Sequence, residues 1–506
     1  MGLNRIDLLI IAAYLAGITL FGLRFRKRQR TMRDYFLADR DIPWWAISLS
    51  IVAAETSTLT IISIPGLAYD SNLTFLQVAM GYVIGRVIIS LVLLPQYFRG
   101  ELFTAYQLIE RRFGPELRTV TAGLFLLTRA AAEGVRVYAV SIVVSIALGT
   151  GEVASIAIIT LLTLIYTFEG GLAAVIWTDV VQTCIYVGGT LVGLVTILHL
   201  VPGGWASAEA IASGLHKFQV FDLHVLDPAI SAHWPHFDFV KPYTLWAGII
   251  GGAFFITASH GTDQLIVQRL LAARNQRQSA LALLSSGVAV FFQFGLFLLV
   301  GVMLFAYYRV PSAAFGRADR IYPTFIVSRM PHGIAGLLIA AILAAAMSNL
   351  SAALNSLASS SIMDFYLRFR AGRRSESRSN SGSEPRLELS EAARLRLARL
   401  ATVAWALVLF GLAVLALHRV GRVVEAGLQI ASVAYGALLG VFLLGVLTKR
   451  ANQRGAIVGM ICGFATELYL WGWSQVAFTW WVAIGTCVTF AVGFAASILL
   501  KGESKA

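Results

Sequence analysis

Hydrophobic residues run along this chain in long unbroken stretches separated by short polar connections. Most stretches reach about 18 residues or more, enough for a helix to cross a hydrocarbon core of about 30 Å. Inside a bilayer no water satisfies the backbone, so a spanning segment is a helix or part of a closed barrel. Barrel strands alternate apolar and polar positions over about ten residues. These stretches do not alternate, so the pattern predicts an all-α polytopic membrane bundle. Thirteen spans are expected, at 7–24, 44–69, 74–98, 118–149, 152–169, 171–200, 244–270, 279–308, 333–364, 397–418, 424–447, 455–473 and 478–500. They are numbered spans 1 to 13.

Composition agrees with a membrane protein. Of 506 residues 58% are hydrophobic and 13% charged, and the mean hydropathy is +0.74. The net charge of +13 does not point to a nucleic-acid partner, because the basic residues form no single patch. Arg26-Lys27-Arg28, Arg111-Arg112, Arg274 with Arg277, Arg373-Arg374 and Lys449-Arg450 follow spans 1, 3, 7, 9 and 11. The opposite connections are mostly poorer in Lys and Arg. The basic side is expected to be cytoplasmic. That sets the N-terminus outside and the C-terminus inside, in the plasma (inner) membrane. The connection 309–332 runs against this rule, with Arg309, Arg317, Arg320 and Arg329 on the expected outside.

The remaining landmarks are few. Residues 1–25 show no small-residue cleavage site and read as a retained first helix. Cys184, Cys462 and Cys487 lie inside spans with no paired spacing, so buried packing is expected rather than a disulfide or metal framework. The outer loop 201–243 holds Trp205, Trp234 and four His. His233 and His236 are three apart but lack a supporting Cys or carboxylate pattern. Residues 370–391 are rich in Ser, Arg and Glu and read as a flexible cytoplasmic linker.

Two spans are unusually polar at their centres. Span 2, WWAISLSIVAAETSTLTIISIPGLAY, carries Glu55, Thr56, Ser57, Thr58 and Thr60, then Pro65 and Gly66. A carboxylate in a membrane costs about 2.5–3.5 kcal/mol on insertion scales and needs a partner or a cavity. Small polar residues near Gly and Pro let a helix unwind and turn its carbonyls toward a cation. The plainer alternative is that these hydroxyls bond their own helix. Span 9 carries Ala344, Ala345 and Ala346 before Ser348, Asn349, Ser351, Asn355 and Ser356. The alanines are explained by close helix packing; the oxygens are not. Facing unwound carbonyls, they would make the oxygen cage a hard cation takes.

Four segments in order resemble the sodium:solute symporter family. DYFLADRDIPWWAISLSIVAAETS is similar to the family's entry into its first core helix, and YTFEGGLAAVIWTDVVQ to its signature at the junction of spans 5 and 6. GTDQLIVQRLLAARN resembles the end of span 7, and MSNLSAALNSLASSSIMDFY the ion-binding helix. The resemblance covers most of the chain. It implies a LeuT-type core of two inverted five-helix repeats led by broken spans 2 and 7. The expected divisions are an N-terminal helix and basic loop at 1–43, a first repeat at 44–200, the outer loop 201–243, a second repeat at 244–447 and two C-terminal helices at 448–506.

The resemblance also implies Na⁺ as coupling ion, held by carbonyls of Ala53, Thr56 and Ala345 and by side chains of Ser348 and Asn349. Asn349 departs from the family's usual hydroxyl residue. Glu55 aligns with an important Asp of proline-transporting members. At Asp179 the resemblance implies a second sodium site or the exit path; the alternative is a capped or water-facing carboxylate near the cytoplasmic end of span 6.

The solute pocket is less legible. Ser57, Arg129, Arg136, Ser259 and His260 are the candidate contacts. Span 4 carries Arg129, Glu133 and Arg136, with Arg86 one span away. One Glu cannot pair three Arg, so a surplus guanidinium would hold a solute carboxylate. The alternative is an internal ion-pair network. Gln268 and Arg269 are expected to enter the cytoplasmic loop.

The function expected is sodium-coupled import of a small organic solute, favouring an organic anion, by alternating access. Proton coupling through Glu55 or Asp179 is one alternative, and a membrane sensor domain another. No enzyme motif such as HExxH lies in a span, and no selectivity-filter repeat suggests a channel.

Overall fold

The computed structural model describes residues 3–23, 41–99, 105–166, 172–223, 239–366 and 391–500. All regular structure among them is helical, and each expected span coincides with a helix or helix pair. Among the described residues nine helices are long and apolar enough to cross a membrane, and the bent pair Trp44–Glu55 and Thr58–Asp70 makes a tenth. Helices Arg5–Leu23, Glu152–Tyr166 and Ala247–Gly261 correspond to spans 1, 5 and 7.

The break in span 2 falls at Thr56-Ser57, where the two halves bend by 64°. Pro65 and Gly66 do not cause it; both lie inside the second half. Gly66 serves close packing instead, since a Cβ there would stand 2.6 Å from the Ala318 carbonyl oxygen. The second half packs against spans 4, 8, 9 and 11. Span 7 breaks at Thr262-Asp263. Asp263 caps the next helix, Gln264–Leu271, by accepting the Leu265 N–H at 2.9 Å. Capping by a short acidic side chain satisfies one orphan donor at the helix start.

Gln268 and Arg269 therefore continue a helix rather than entering a loop, and Arg269 is only 4% exposed. The cysteine expectation also changes. Cys184 and Cys487 are exposed and Cys462 is half-buried, all as free thiols. A small apolar residue suits the lipid-facing perimeter of a bundle as well as its interior.

The anomalous connection 309–332 has a structural explanation. Arg317 donates to the carbonyls of Leu417 at 2.9 Å and Val420 at 2.8 Å, at the end of helix Glu391–Arg419. Arg320 pairs with Glu152 at 2.8 Å. These charges cap a helix C-terminus and fill an ion pair. The loop 201–243 includes helix Gly204–Ser213. Beyond it, buried Lys217 donates to the Tyr69 carbonyl at 2.6 Å and lies over the Phe305 ring. Burial pushes the Lys217 ammonium below the usual lysine range. Trp234, His233, His236 and the linker through residue 390 lie outside the described residues.

Candidate sodium and solute site

The site begins with one displaced hydrogen bond. Thr56 adopts φ −81° and ψ 77°, the inverse γ-turn geometry. The Ser57 N–H consequently donates to the Glu55 carbonyl at 3.0 Å. In an unbroken helix that N–H would go to Ala53. The turn thus takes the Ala53 carbonyl out of the helical ladder. The Ser57 carbonyl starts the second half, accepting from Thr60 at 2.9 Å and Ile61 at 3.2 Å. The Thr56 hydroxyl accepts from Gln293 Nε2 at 2.8 Å, so Thr56 can offer a nearby ion its carbonyl.

Span 9 runs unbroken from Ile334 to Ser360. Ala345, Ser348 and Asn349 share one face at i, i+3 and i+4. Ala345 keeps its helical bond, which leaves its oxygen one further lone pair. Ala345 is buried, while Ser348 and Asn349 are half-buried.

A cavity of ≈ 20 Å³ lies beside the break in span 2, room for about one water. Its polar wall is Ser57, Thr58, Glu133, Arg136 and Asn349. Val137, Val140 and Ile159 supply an apolar wall. The cavity unites Ser57 and Arg136 of the expected solute contacts with Asn349 of the expected sodium ligands. Arg129, Ser259 and His260 are not in its wall.

The charged residues around it are matched. Arg86 is fully buried and pairs with Glu55, while also donating to Ser286 Oγ at 3.2 Å. Gly287 makes room for it, since a Cβ there would stand 2.7 Å from Arg86 Cδ. His260 Nε2 lies 3.4 Å from Glu55 Oε2, and its Nδ1 lies 2.9 Å from Ser259 Oγ. Arg129 pairs with Glu133 at 3.0 Å and lies 3.8 Å from Asp263. Arg136 pairs with Glu133 at 2.6 Å. Arg269 pairs with Asp179 at 3.0 Å, and both bond Ser50, at 2.8 Å and 2.6 Å.

Arg86, Arg129, Arg136 and Arg269 thus meet Glu55, Glu133, Asp263 and Asp179. The surplus guanidinium expected from span 4 does not exist, because span 2 and the break in span 7 contribute carboxylates that counting along one helix omits. Asp179 is buried against Arg269 and is not water-facing. Arg136 differs from the other three arginines. It is 30% exposed and lines the cavity. Sequence reading overlooked Gln293 and Ser50. Nothing marks them along the chain, since Ser50 stands among apolar residues ahead of the polar centre of span 2 and Gln293 among the aromatic and aliphatic residues of span 8.

Two broken spans in a helical bundle, one of them opening beside a small polar cavity, are the architecture of a secondary transporter. The model of the sodium:solute symporter family matches residues 35–463, and the chain belongs to that family. It is similar to the sodium/sialic acid symporter SiaT of Proteus mirabilis, with 30% identity over 497 residues covering 96% of this chain and 94% of that protein. It is also similar to the sodium/sialic acid symporter NanT of Aliivibrio fischeri, with 28% identity over 507 residues covering 99% and 94%. Among solved structures, a substrate-bound, outward-open Na⁺-coupled sialic acid symporter matches with TM-score 0.79 and 28% identity over 98% of each chain. Mhp1, of the nucleobase-cation-symport-1 family, shares the fold at TM-score 0.55 and 12% identity, over 92% of this chain and 93% of its own. The protein is a multi-pass sodium-coupled symporter with a LeuT-type core, and Na⁺ is its coupling ion.

Proposed function

We propose that this symporter carries a small organic acid, with Arg136 as the carboxylate anchor. The observation that carries the reading is the shared wall of the cavity, where Arg136 stands beside Ser57 and Thr58. Thr58 opens the second half of span 2, so its N–H group has no carbonyl one turn back. A helix N-terminus attracts an anion, and discontinuous transporter helices use that end for anionic groups. Ser57 spends no side-chain bond on capping, which leaves its hydroxyl to the solute. A guanidinium adds bidentate geometry. The two relatives named as sialic acid symporters carry an acid and favour the same class.

Sodium is assigned to the carbonyls of Ala53, Thr56 and Ala345 and to the side chains of Ser348 and Asn349. An ion there ties span 2 to span 9 in one state more tightly than in another. Only such differential affinity shifts the equilibrium between states. Glu55 is bound to Arg86, which favours a fixed charge over a proton carrier. We assign the repeats to 44–200 and 244–447, the N-terminus to the outside and the C-terminus to the cytoplasm of the inner membrane.

The test compares Na⁺-dependent binding of sialic acid and its carboxamide to wild-type protein and Arg136→Gln. The wild type should prefer the acid, and the variant should lose that preference. Equal binding of acid and amide by wild-type protein contradicts the anchor.

A further inference from the structure

Glu467 of span 12 is fully buried, and among the described residues neither of its carboxyl oxygens has a hydrogen-bond partner. Glu55, Glu133 and Asp179 each meet an arginine; Glu467 meets none. The carboxyl lies where spans 11, 12 and 13 come together. A Cβ added at Gly436 of span 11 or at Gly485 of span 13 would collide with Glu467 Oε1, so two glycines make the room it occupies. The backbone N–H groups of Gly436 and Ala437 approach it. Both lie inside helix Val423–Leu447 and donate to carbonyls one turn back, which leaves no hydrogen for a carboxylate.

We propose that Glu467 is a proton-binding site, a neutral acid near neutral pH whose O–H bridges span 12 to a backbone carbonyl of span 13. An isolated carboxylate taken from water is so costly that the group neutralises instead. A neutral carboxyl has a hydrogen to donate, and a helical carbonyl keeps a second lone pair to receive it. The Val482 carbonyl oxygen is the acceptor at hand, 2.8 Å from where the Gly436 Cβ would stand. The terminal torsion of a glutamate is broad, so the O–H turns to it freely. Glu467 is not in the wall of the cavity beside span 2. The proton is therefore fixed and is not the coupling ion.

The other titratable groups of the packed elements are engaged elsewhere. On span 11 Glu425 bonds Tyr243 and Arg422, and Tyr435 bonds Asp263. On spans 12 and 13 Tyr469 and Cys487 are exposed and Cys462 is half-buried. Arg454 opens the helix of span 12, about 20 Å along its axis from Glu467. On spans 4 and 7 Arg129, Arg136 and His260 belong to the ion pairs around Glu133 and Glu55. Span 11 also packs against spans 4 and 7 and the second half of span 2. The protonated bridge thus holds the two C-terminal spans onto an element of the transport core.

The experiment records infrared spectra of purified full-length protein near neutral pH, with and without ¹³C in the glutamate carboxyl groups. Wild-type protein should show the C=O stretch of a protonated carboxyl, moved by the label and missing from Glu467→Gln. Carboxylate bands lost in its place overturn the proposal. A wild-type spectrum with no protonated glutamate overturns it even if Glu467→Gln does not fold. Stability gives a second readout. The folded protein keeps a proton that the unfolded chain releases, so wild-type stability falls as pH rises, by up to about tenfold in the unfolding equilibrium per pH unit. Glu467→Gln keeps the shape and a donor but has no proton to lose. Its unfolding midpoint should fall less steeply than that of the wild type from mildly acidic to alkaline pH. Parallel pH profiles of the two proteins contradict the proton site.

Discussion

Glu55 of span 2 and Arg86 of span 3 form a buried ion pair immediately before the break that opens the site. Breaking such a pair from one side leaves an uncompensated charge, at a cost of about 3–5 kcal/mol. Glu55→Gln should therefore destabilise the detergent-solubilised protein strongly. Glu55→Gln combined with Arg86→Met should recover much of the loss. Thermal unfolding of the three proteins checks this; a Glu55→Gln protein as stable as wild type would show that the pair contributes nothing.

Asp179 and Arg269 give a second, separable case, tied by Ser50 across three elements. Asp179→Asn should lower stability by several kcal/mol, about 3–5 by the same reasoning. Asp179→Asn with Arg269→Gln should restore part of it. The steepness of sodium activation should be unchanged in the surviving protein. If Asp179 instead holds a second sodium, the steepness falls while stability holds. Unfolding curves and sodium titrations of uptake, measured on the same preparations, separate the two.

Ser348 supplies one hydroxyl of the assigned sodium cage. Losing one ligand should cost on the order of 1–3 kcal/mol. Ser348→Ala should raise the sodium concentration for half-maximal uptake at least several-fold, with the solute preference unaltered. Unchanged sodium dependence in a well-folded Ser348→Ala protein removes this residue from the site.

Much of the fold was legible because a bilayer imposes long apolar stretches and few alternatives. The polar centres of spans 2 and 9 also stood out, since Glu55, Thr56, Ser348 and Asn349 interrupt otherwise apolar runs. The location of the break did not. Pro65 and Gly66 are the stronger helix punctuators, yet the turn falls at Thr56 while both lie inside the second half, where Gly66 admits the close approach of Ala318. The charge pattern follows the alternative left open in the sequence, an internal ion-pair network, but its partners were not readable. Spacing along a helix reveals the Arg129, Glu133 and Arg136 neighbours. Only the tertiary fold brings Asp263 to Arg129, Glu55 to Arg86 and Asp179 to Arg269. His260 packs on the Glu55–Arg86 pair, a contact between separate elements that no spacing along the chain announces.

The most direct test of the whole account is uptake into proteoliposomes under imposed gradients. Labelled sialic acid serves as the probe, with its carboxamide as competitor. An inward Na⁺ gradient with no proton gradient should drive accumulation above equilibrium, the amide should compete poorly, and Arg136→Gln should abolish the difference. Accumulation that follows a proton gradient in the absence of sodium, or competition by the amide equal to that of the acid, would contradict sodium-driven transport of an organic acid by this protein.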